Sequence, residues 1–202
     1  MGGSVPVFDE IILSMQNMNK IEKMNEVASV VTCQAGVILE KLNEFLEGYG
    51  LETPLDLGAK GSCQVGGNAS TSAGGKYVVK YGSFRSHILG LEAVLPTGEI
   101  LDLTSEIHKD NTGYDLKHLF IGGEGTLGVI TKLNIHCEKI DSVRKIMVLK
   151  MGSYESILKS IPVIKKHLGK SVAALEYMDS VTYHTVIDNL KQNPLFDQVH
   201  DN

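Results

Sequence analysis

Seven glycines fall within one stretch of this chain: Gly58, Gly61, Gly66, Gly67, Gly74, Gly75 and Gly82. That density is higher than a helix or strand interior tolerates, because each glycine weakens either one by roughly 0.5–1 kcal/mol relative to alanine. The stretch also carries Ser62, Ser70, Thr71 and Ser72 but no proline, and "CQVGGNA" is not the wording of a repetitive linker. It predicts an ordered loop whose backbone is approached closely by something else.

Two further glycine stretches share the same chemistry, Gly2-Gly3-Ser4 and Gly122 to Gly128. The second contains "GEGTLG", which fits G-x-G-x-x-G. A dinucleotide fingerprint of that form needs a strand, a glycine turn and then a helix whose N-terminus holds the pyrophosphate. Here "VITKLNIHC" follows, and its alternation of Val129, Thr131, Leu133 and Ile135 with Ile130, Lys132, Asn134 and His136 predicts a strand. A kinase glycine loop does lie between strands, but no V-A-I-K, H-R-D or D-F-G accompanies it, and no Gly-Lys-Ser/Thr marks a Walker loop. Taken alone, the six residues read as a tight loop between core elements rather than as a ligand site. Together, three glycine stretches with interspersed hydroxyls can offer backbone N–H groups to an anion. With no metal-ligand spacing beside them, they point to a diphosphate held by amides, and so to FAD.

Elsewhere the chain reads as alternating elements. "SVVTCQA" (29–35) predicts a strand. Residues 37–47 predict a helix with Ile38, Leu42, Phe45 and Leu46 on one face, ending at Gly48 or Gly50. That stripe is core packing rather than a lipid face. Residues 88–104 predict a hairpin turning at Pro96-Thr97-Gly98, and 108–120 a loop leading into a short helix. Past residue 142 a strand (143–149), a helix (154–168), a strand (172–177) and a helix (179–191) predict a second domain. The expected organisation is therefore 1–141 and 142–202.

Composition excludes several classes. Charged residues are 21% and the formal net charge is -5, with only Arg85 and Arg144 as arginines, so no basic footprint for nucleic acid exists. No apolar run reaches the roughly 18 residues of a membrane span. Cys33, Cys63 and Cys137 are too few and scattered for a disulfide framework. The N-terminus, with Asp9 and Glu10 and no arginine, does not read as a targeting segment.

Four long motifs resemble the FAD-linked oxidoreductases of the vanillyl-alcohol oxidase type: "MGGSVPVFDEIILSMQNMNKI", "DLGAKGSCQVGGNASTSAGG", "KYGSFRSHILGLEAVLPTGEILDL" and "HKDNTGYDLKHLFIGGEGTLGVIT". Within that superfamily the resemblance is nearest to the D-2-hydroxyglutarate dehydrogenases. It implies an α+β fold: a two-subdomain FAD-binding domain followed by the start of an α+β cap domain. Gly2, Gly3, Ser4 and Pro6 match the second half of the family's first phosphate loop. Gly58, Gly61, Ser62, Cys63, Gly66, Gly67, Asn68, Thr71, Gly74 and Gly75 match the stretch that wraps the pyrophosphate and flavin edge. Glu124, Gly125, Gly128, Val129 and Ile130 match the segment beside the adenosine and flavin. The implied reaction is oxidation of a 2-hydroxy acid, D-2-hydroxyglutarate to 2-oxoglutarate, by hydride transfer to flavin N5. D-lactate and glycolate are the alternatives within the superfamily, and a non-catalytic flavin-binding fragment is the alternative outside it. The resemblance further implies a mitochondrial location, an electron acceptor that is a flavoprotein or quinone-linked, and a divalent metal. The metal's His and Glu ligands, and the substrate's Arg and Lys, lie in cap segments beyond this chain. The first phosphate loop starts at its middle and the cap is only begun, so the chain reads as a fragment with weak FAD retention and no turnover of its own.

Other polar residues have plainer readings. Arg85 and Arg144 read as surface or interdomain salt-bridge partners, and His108 and His118 as solvated loop histidines flanking a loop that can approach the flavin. Asn111, Tyr114 and Asp115 read as turn formers. Cys63 lacks a partner that would make it a nucleophile, and Lys60 is as readily solvated as phosphate-bound. The seven histidines form no H-x-H or H-x-x-x-H pair, and His136 and Cys137 point to opposite strand faces, so shared metal ligation is not expected.

Overall fold

The computed structural model describes residues 5–196 and divides the chain into two compact units, Met1–Ile140 and Asp141–Asn202. Gly2, Gly3 and Ser4 lie outside the described residues.

The first unit is built on strands β1 (Ile21–Asn25), β2 (Val30–Gln34), β4 (Ile88–Val94), β5 (Ile100–Leu103) and β6 (Val129–His136). They form a five-stranded sheet in the order β1-β2-β6-β4-β5. Each of its pairings is antiparallel. A short second ladder joins β3 (Leu51–Glu52) to β7 (Glu138–Lys139). This mixture of helices with an antiparallel sheet is the α+β architecture the resemblance implies, and it has no strand–turn–helix unit at "GEGTLG".

β2 and β6 pair through Val30 to Gln34. Val30, Val31, Cys33, Leu133 and Ile135 are fully buried there, because a central antiparallel strand covered on both faces needs apolar or satisfied side chains on both. Asn134 is buried on β6 and satisfied. Its Nδ2 donates to Thr32 Oγ1 at 2.8 Å, and its Oδ1 accepts from the Ser105 N–H at 3.1 Å. The expected hairpin is present, with Leu91 opposite Leu103 and Gly98 in its turn.

Helix α1 (Leu39–Glu47) buries Leu39, Leu42 and Leu46. Each of these leucines contributes roughly 1.5–3 kcal/mol of burial. The helix starts later than its periodicity suggested: Ile38 is the extended residue before it, and Leu39 takes the core position. Gly48 ends it.

The glycine stretch corrects the expectation of pure loop. It folds α2 (Val65–Ser70), with Gly66 and Gly67 inside, and α3 (Val78–Tyr81). Close packing outweighs glycine's poor propensity at Gly66. Its N–H donates to the Ala35 carbonyl at 2.8 Å, and a Cβ there would overlap the Ala35 side chain. Helix α4 (Lys117–Phe120) follows the 108–116 loop as expected.

In the second unit α5 (Tyr154–Leu168) and α6 (Ser180–Leu190) form where helices were expected. Ser153 caps α5 by accepting the Ser156 N–H, and Asp179 caps α6 by accepting the Thr182 N–H at 2.7 Å. Neither 143–149 nor 172–177 is a strand. Apolar β-type residues make a strand only where another strand completes the ladder. Ile146, Met147 and Val148 are exposed instead.

Candidate flavin site

Two of the three glycine stretches meet in the first unit. The loop after α4 docks on the end of α2: the Gly122 N–H donates to the Ala69 carbonyl at 3.1 Å, and the Glu124 N–H to the Ser70 carbonyl at 3.0 Å. Thr126 closes the loop on itself through its N–H and hydroxyl, both donated to the Gly123 carbonyl. Glu124 and Gly125 both adopt the left-handed conformation, which glycine accepts without strain and glutamate does not. Val129 and Ile130 then enter β6 opposite Val94 and Ala93.

Arg85 organises this loop. Its Nη2 donates to the Ile121 carbonyl and its Nη1 to the His118 carbonyl at 3.5 Å, covering the C-terminal carbonyls of α4. The expected salt bridge is replaced by these backbone contacts. The signal in the sequence was only that arginine is scarce.

The loop 58–64 lies over the start of α1. Carbonyls of Lys60 and Cys63 accept the Glu40 and Leu39 N–H groups at 3.1 Å each. The Ser62 hydroxyl donates to the Ala59 carbonyl and the Thr71 hydroxyl to the Gly67 carbonyl, so both hydrogens are committed to backbone. Lys60 and Lys76 both pair with Asp56, at 3.7 and 2.6 Å. Pro6 is exposed in the 5–14 segment.

The site glycines separate into two groups by what a Cβ would meet. At Gly66, Gly75 and Gly128 it would collide with Ala35, Asp56 and Val94, so the protein's own packing demands glycine. At Gly61 a Cβ would press on the Glu40 carboxylate at 3.2 Å, a flexible side chain, and at Gly74 it would make ordinary contact with Val78 at 3.7 Å. At Gly58, Gly67 and Gly125 nothing lies within 4 Å. Among the described residues, the N–H groups of Gly58, Gly61 and Gly67 donate to no protein acceptor. Immediately after Gly67, Asn68 is only 7% exposed, and its Oδ1 finds no donor. A buried amide oxygen without a partner costs about 1–3 kcal/mol, which makes it a ready acceptor for a ligand N–H. Open glycines, free amides and one orphaned carbonyl fit a group that is both a diphosphate and a hydrogen-bonding ring system.

A shallow cleft lies nearby between Arg85, Ile107, His108, Asp110, Lys117 and His118. His118 stands on α4 with 38% of its side chain exposed and its Nε2 3.3 Å from Asp115 Oδ2. Its Nδ1 is buried without a partner, and burial holds its imidazolium below the ordinary histidine value against the pull of Asp115. His108 packs edge-on against His136 at 4.4 Å between ring centres. Asp110 accepts the Thr112 N–H at 2.9 Å, as a turn former does. Cys33 and Cys137 are buried free thiols, and burial pushes the Cys137 thiol up to about 12. Among the described residues no helix is long and apolar enough to cross a membrane.

The family model described as FAD binding domain matches residues 1–104. A Schizosaccharomyces pombe protein named as a putative mitochondrial D-lactate dehydrogenase is 50% identical over 98% of this chain and 38% of its own length. A mitochondrial D-2-hydroxyglutarate dehydrogenase of Arabidopsis thaliana is 48% identical over 96% of this chain and 35% of its own. The chain thus spans little more than a third of the curated relatives it matches. Among solved structures, an alkyldihydroxyacetonephosphate synthase superposes with a TM-score of 0.56 at 26% identity, covering 63% of this chain and 24% of that one.

Proposed function

Since the chain belongs to the FAD-binding domain family, we propose that residues 1–141 hold FAD as part of a flavin-dependent D-2-hydroxy-acid dehydrogenase. The observation that carries the cofactor assignment is the junction of α2 with the 122–128 loop, which joins the open glycines Gly67 and Gly125 to the same two segments as Asn68, whose buried side-chain oxygen has no partner.

Bound FAD would supply the hydride acceptor, at N5. The residues of this chain bind and orient it. Amides at Gly58, Gly61 and Gly67 face its anionic part, and Asn68 Oδ1 accepts from one of its N–H groups. Arg85 keeps the loop that carries Glu124 and Gly125 in place. Gly2, Gly3, Ser4 and Pro6 belong to the same reading as phosphate-loop residues. Cys63, with no partner to activate it, serves as lining.

The substrate assigned is D-2-hydroxyglutarate, oxidised to 2-oxoglutarate. Support comes from the 48% identity to an enzyme of that name. D-Lactate is the second reading, favoured by the name of the 50% identical relative. Residues 142–202 are read as the opening of the substrate domain. Substrate cations and a divalent metal would be held by segments of the relatives that this chain does not span. A mitochondrial location follows from the names of both relatives.

The test is anaerobic addition of each hydroxy acid to the flavin-loaded chain joined to the substrate-binding segments that its relatives carry. Bleaching of the flavin bands by D-2-hydroxyglutarate alone supports the assignment. Bleaching by D-lactate alone overturns it in favour of the second reading.

A further inference from the structure

We propose that His87, His136 and Glu138 form a binding site for one divalent transition-metal ion of the zinc class. The three lie together through sheet register. Ile88 pairs with Ile135, so His87, just before β4, meets His136 at the end of β6. His136 and Glu138 are two apart on an extended chain and so share a face, while Cys137 turns inward and is buried. One candidate ligand atom from each residue lies within 4.8 Å of the others.

Hydrogen bonding already orients the histidine for this role. The Ser86 hydroxyl donates to the Ser83 carbonyl at 2.7 Å, so it faces His87 Nδ1, at 3.3 Å, as an acceptor. The Ser83 carbonyl itself lies 3.2 Å from Nδ1. These two acceptors favour the tautomer with its hydrogen on Nδ1, the one that offers the Nε2 lone pair to a metal. A metal-ligating imidazole is oriented in the same way, its second nitrogen donating to a backbone carbonyl. His87 Nε2 lies 3.3 Å from Glu138 Oε1, and His136 Nδ1 lies 3.6 Å from the same oxygen. The two rings stack at 6.0 Å and 17°. Protons on both rings would set like charges face to face, whereas one cation meets all three lone pairs.

The spacing suits the ion. Bonds of about 2.0–2.1 Å in a tetrahedron give ligand–ligand edges of about 3.3 Å, close to the two distances to Glu138. Three protein ligands leave the fourth position to water. His87 is deeply buried while Glu138 keeps 29% of its side chain exposed, which gives the ion an entry path. Imidazole with a single carboxylate favours zinc-class ions over calcium or magnesium, which prefer all-oxygen shells. These residues belong to the first unit, not to the cap segments to which the resemblance assigns metal ligands. A bound ion would tie the turn before β4 to the end of β6.

The test is independent of flavin. Chelator-treated 202-residue chain is titrated with Co2+, followed by visible absorption, and then challenged with Zn2+. Saturable uptake of one Co2+ per chain is expected, with bands of a low-coordinate site that Zn2+ abolishes, and a rise in the thermal midpoint on adding Zn2+. Glu138→Gln and His136→Gln should each weaken binding at least about tenfold while the metal-free thermal midpoint stays put. The absence of saturable uptake by the wild type would overturn the proposal. So would folded Glu138→Gln binding Co2+ as tightly as wild type, a variant that decides the matter even where a histidine replacement unfolds the chain.

Discussion

Gly66 donates its N–H to the carbonyl of Ala35 at 2.8 Å, and its Cα packs so closely on Ala35 that no side chain fits between them. That contact seats α2 on the chain leaving β2. Its neighbour Gly67 is the opposite case, helical and surrounded by open space. Gly66→Ala should therefore cost about 1–3 kcal/mol through overpacking. Gly67→Ala should be neutral, or stabilising by up to about 1 kcal/mol. Denaturant unfolding of the two variants checks this, and equal effects would contradict it.

Asn68 and Asn134 make a second pair of opposites. Both are buried, but only Asn134 has its side-chain oxygen satisfied within the protein. Asn68→Leu should leave the stability of the flavin-free chain within about 1 kcal/mol of wild type. It should weaken FAD binding by about tenfold, the worth of one net hydrogen bond. Loss of stability with unchanged FAD affinity would show that the oxygen serves the fold.

Arg85→Lys should loosen the 122–128 loop. Lysine cannot reach two carbonyls in a plane as the guanidinium does. The cost should be about 1–3 kcal/mol, as for other charged hydrogen bonds. Hydrogen exchange at the Gly122 and Glu124 amides should quicken, since both donate to α2. Unchanged exchange would separate Arg85 from the loop.

His118 sets a pH dependence. Burial depresses its folded pKa, so the folded chain resists a proton that the unfolded chain takes up near the ordinary value of about 6.5. Its contribution to stability is then complete above that value and is lost as pH falls through the folded one. NMR titration of the His118 ring should give a midpoint below about 6.5. A midpoint at or above the ordinary value would contradict the burial argument.

Much of this was legible because local periodicity and packing agree. β2, the β4–β5 hairpin, β6, α5 and α6 each carry their own pattern, whether alternation, a turn signal or a cap. α2 was not legible, since Gly66 and Gly67 argue against helix and only the contact with Ala35 explains them. The 143–149 and 172–177 runs misled for the converse reason: their residues suit a strand, but a strand also needs a partner. The site divides in the same way. Motif glycines were visible as a class, whereas the separation of Gly66 from Gly67 depends on what lies across from each. The roles of Arg85 and His87 depend on partners 36 and 49 positions away and leave no local trace.

The central claim is that FAD lies against the open glycines at the end of α2. Its most direct test is a fluorescence titration of FAD with the wild-type chain and with Gly67→Ala, each shown to be folded. The account predicts saturable quenching by the wild type and an affinity at least about tenfold lower for Gly67→Ala, despite its undiminished stability. Equal affinities, or no saturable binding by the wild type, would contradict it.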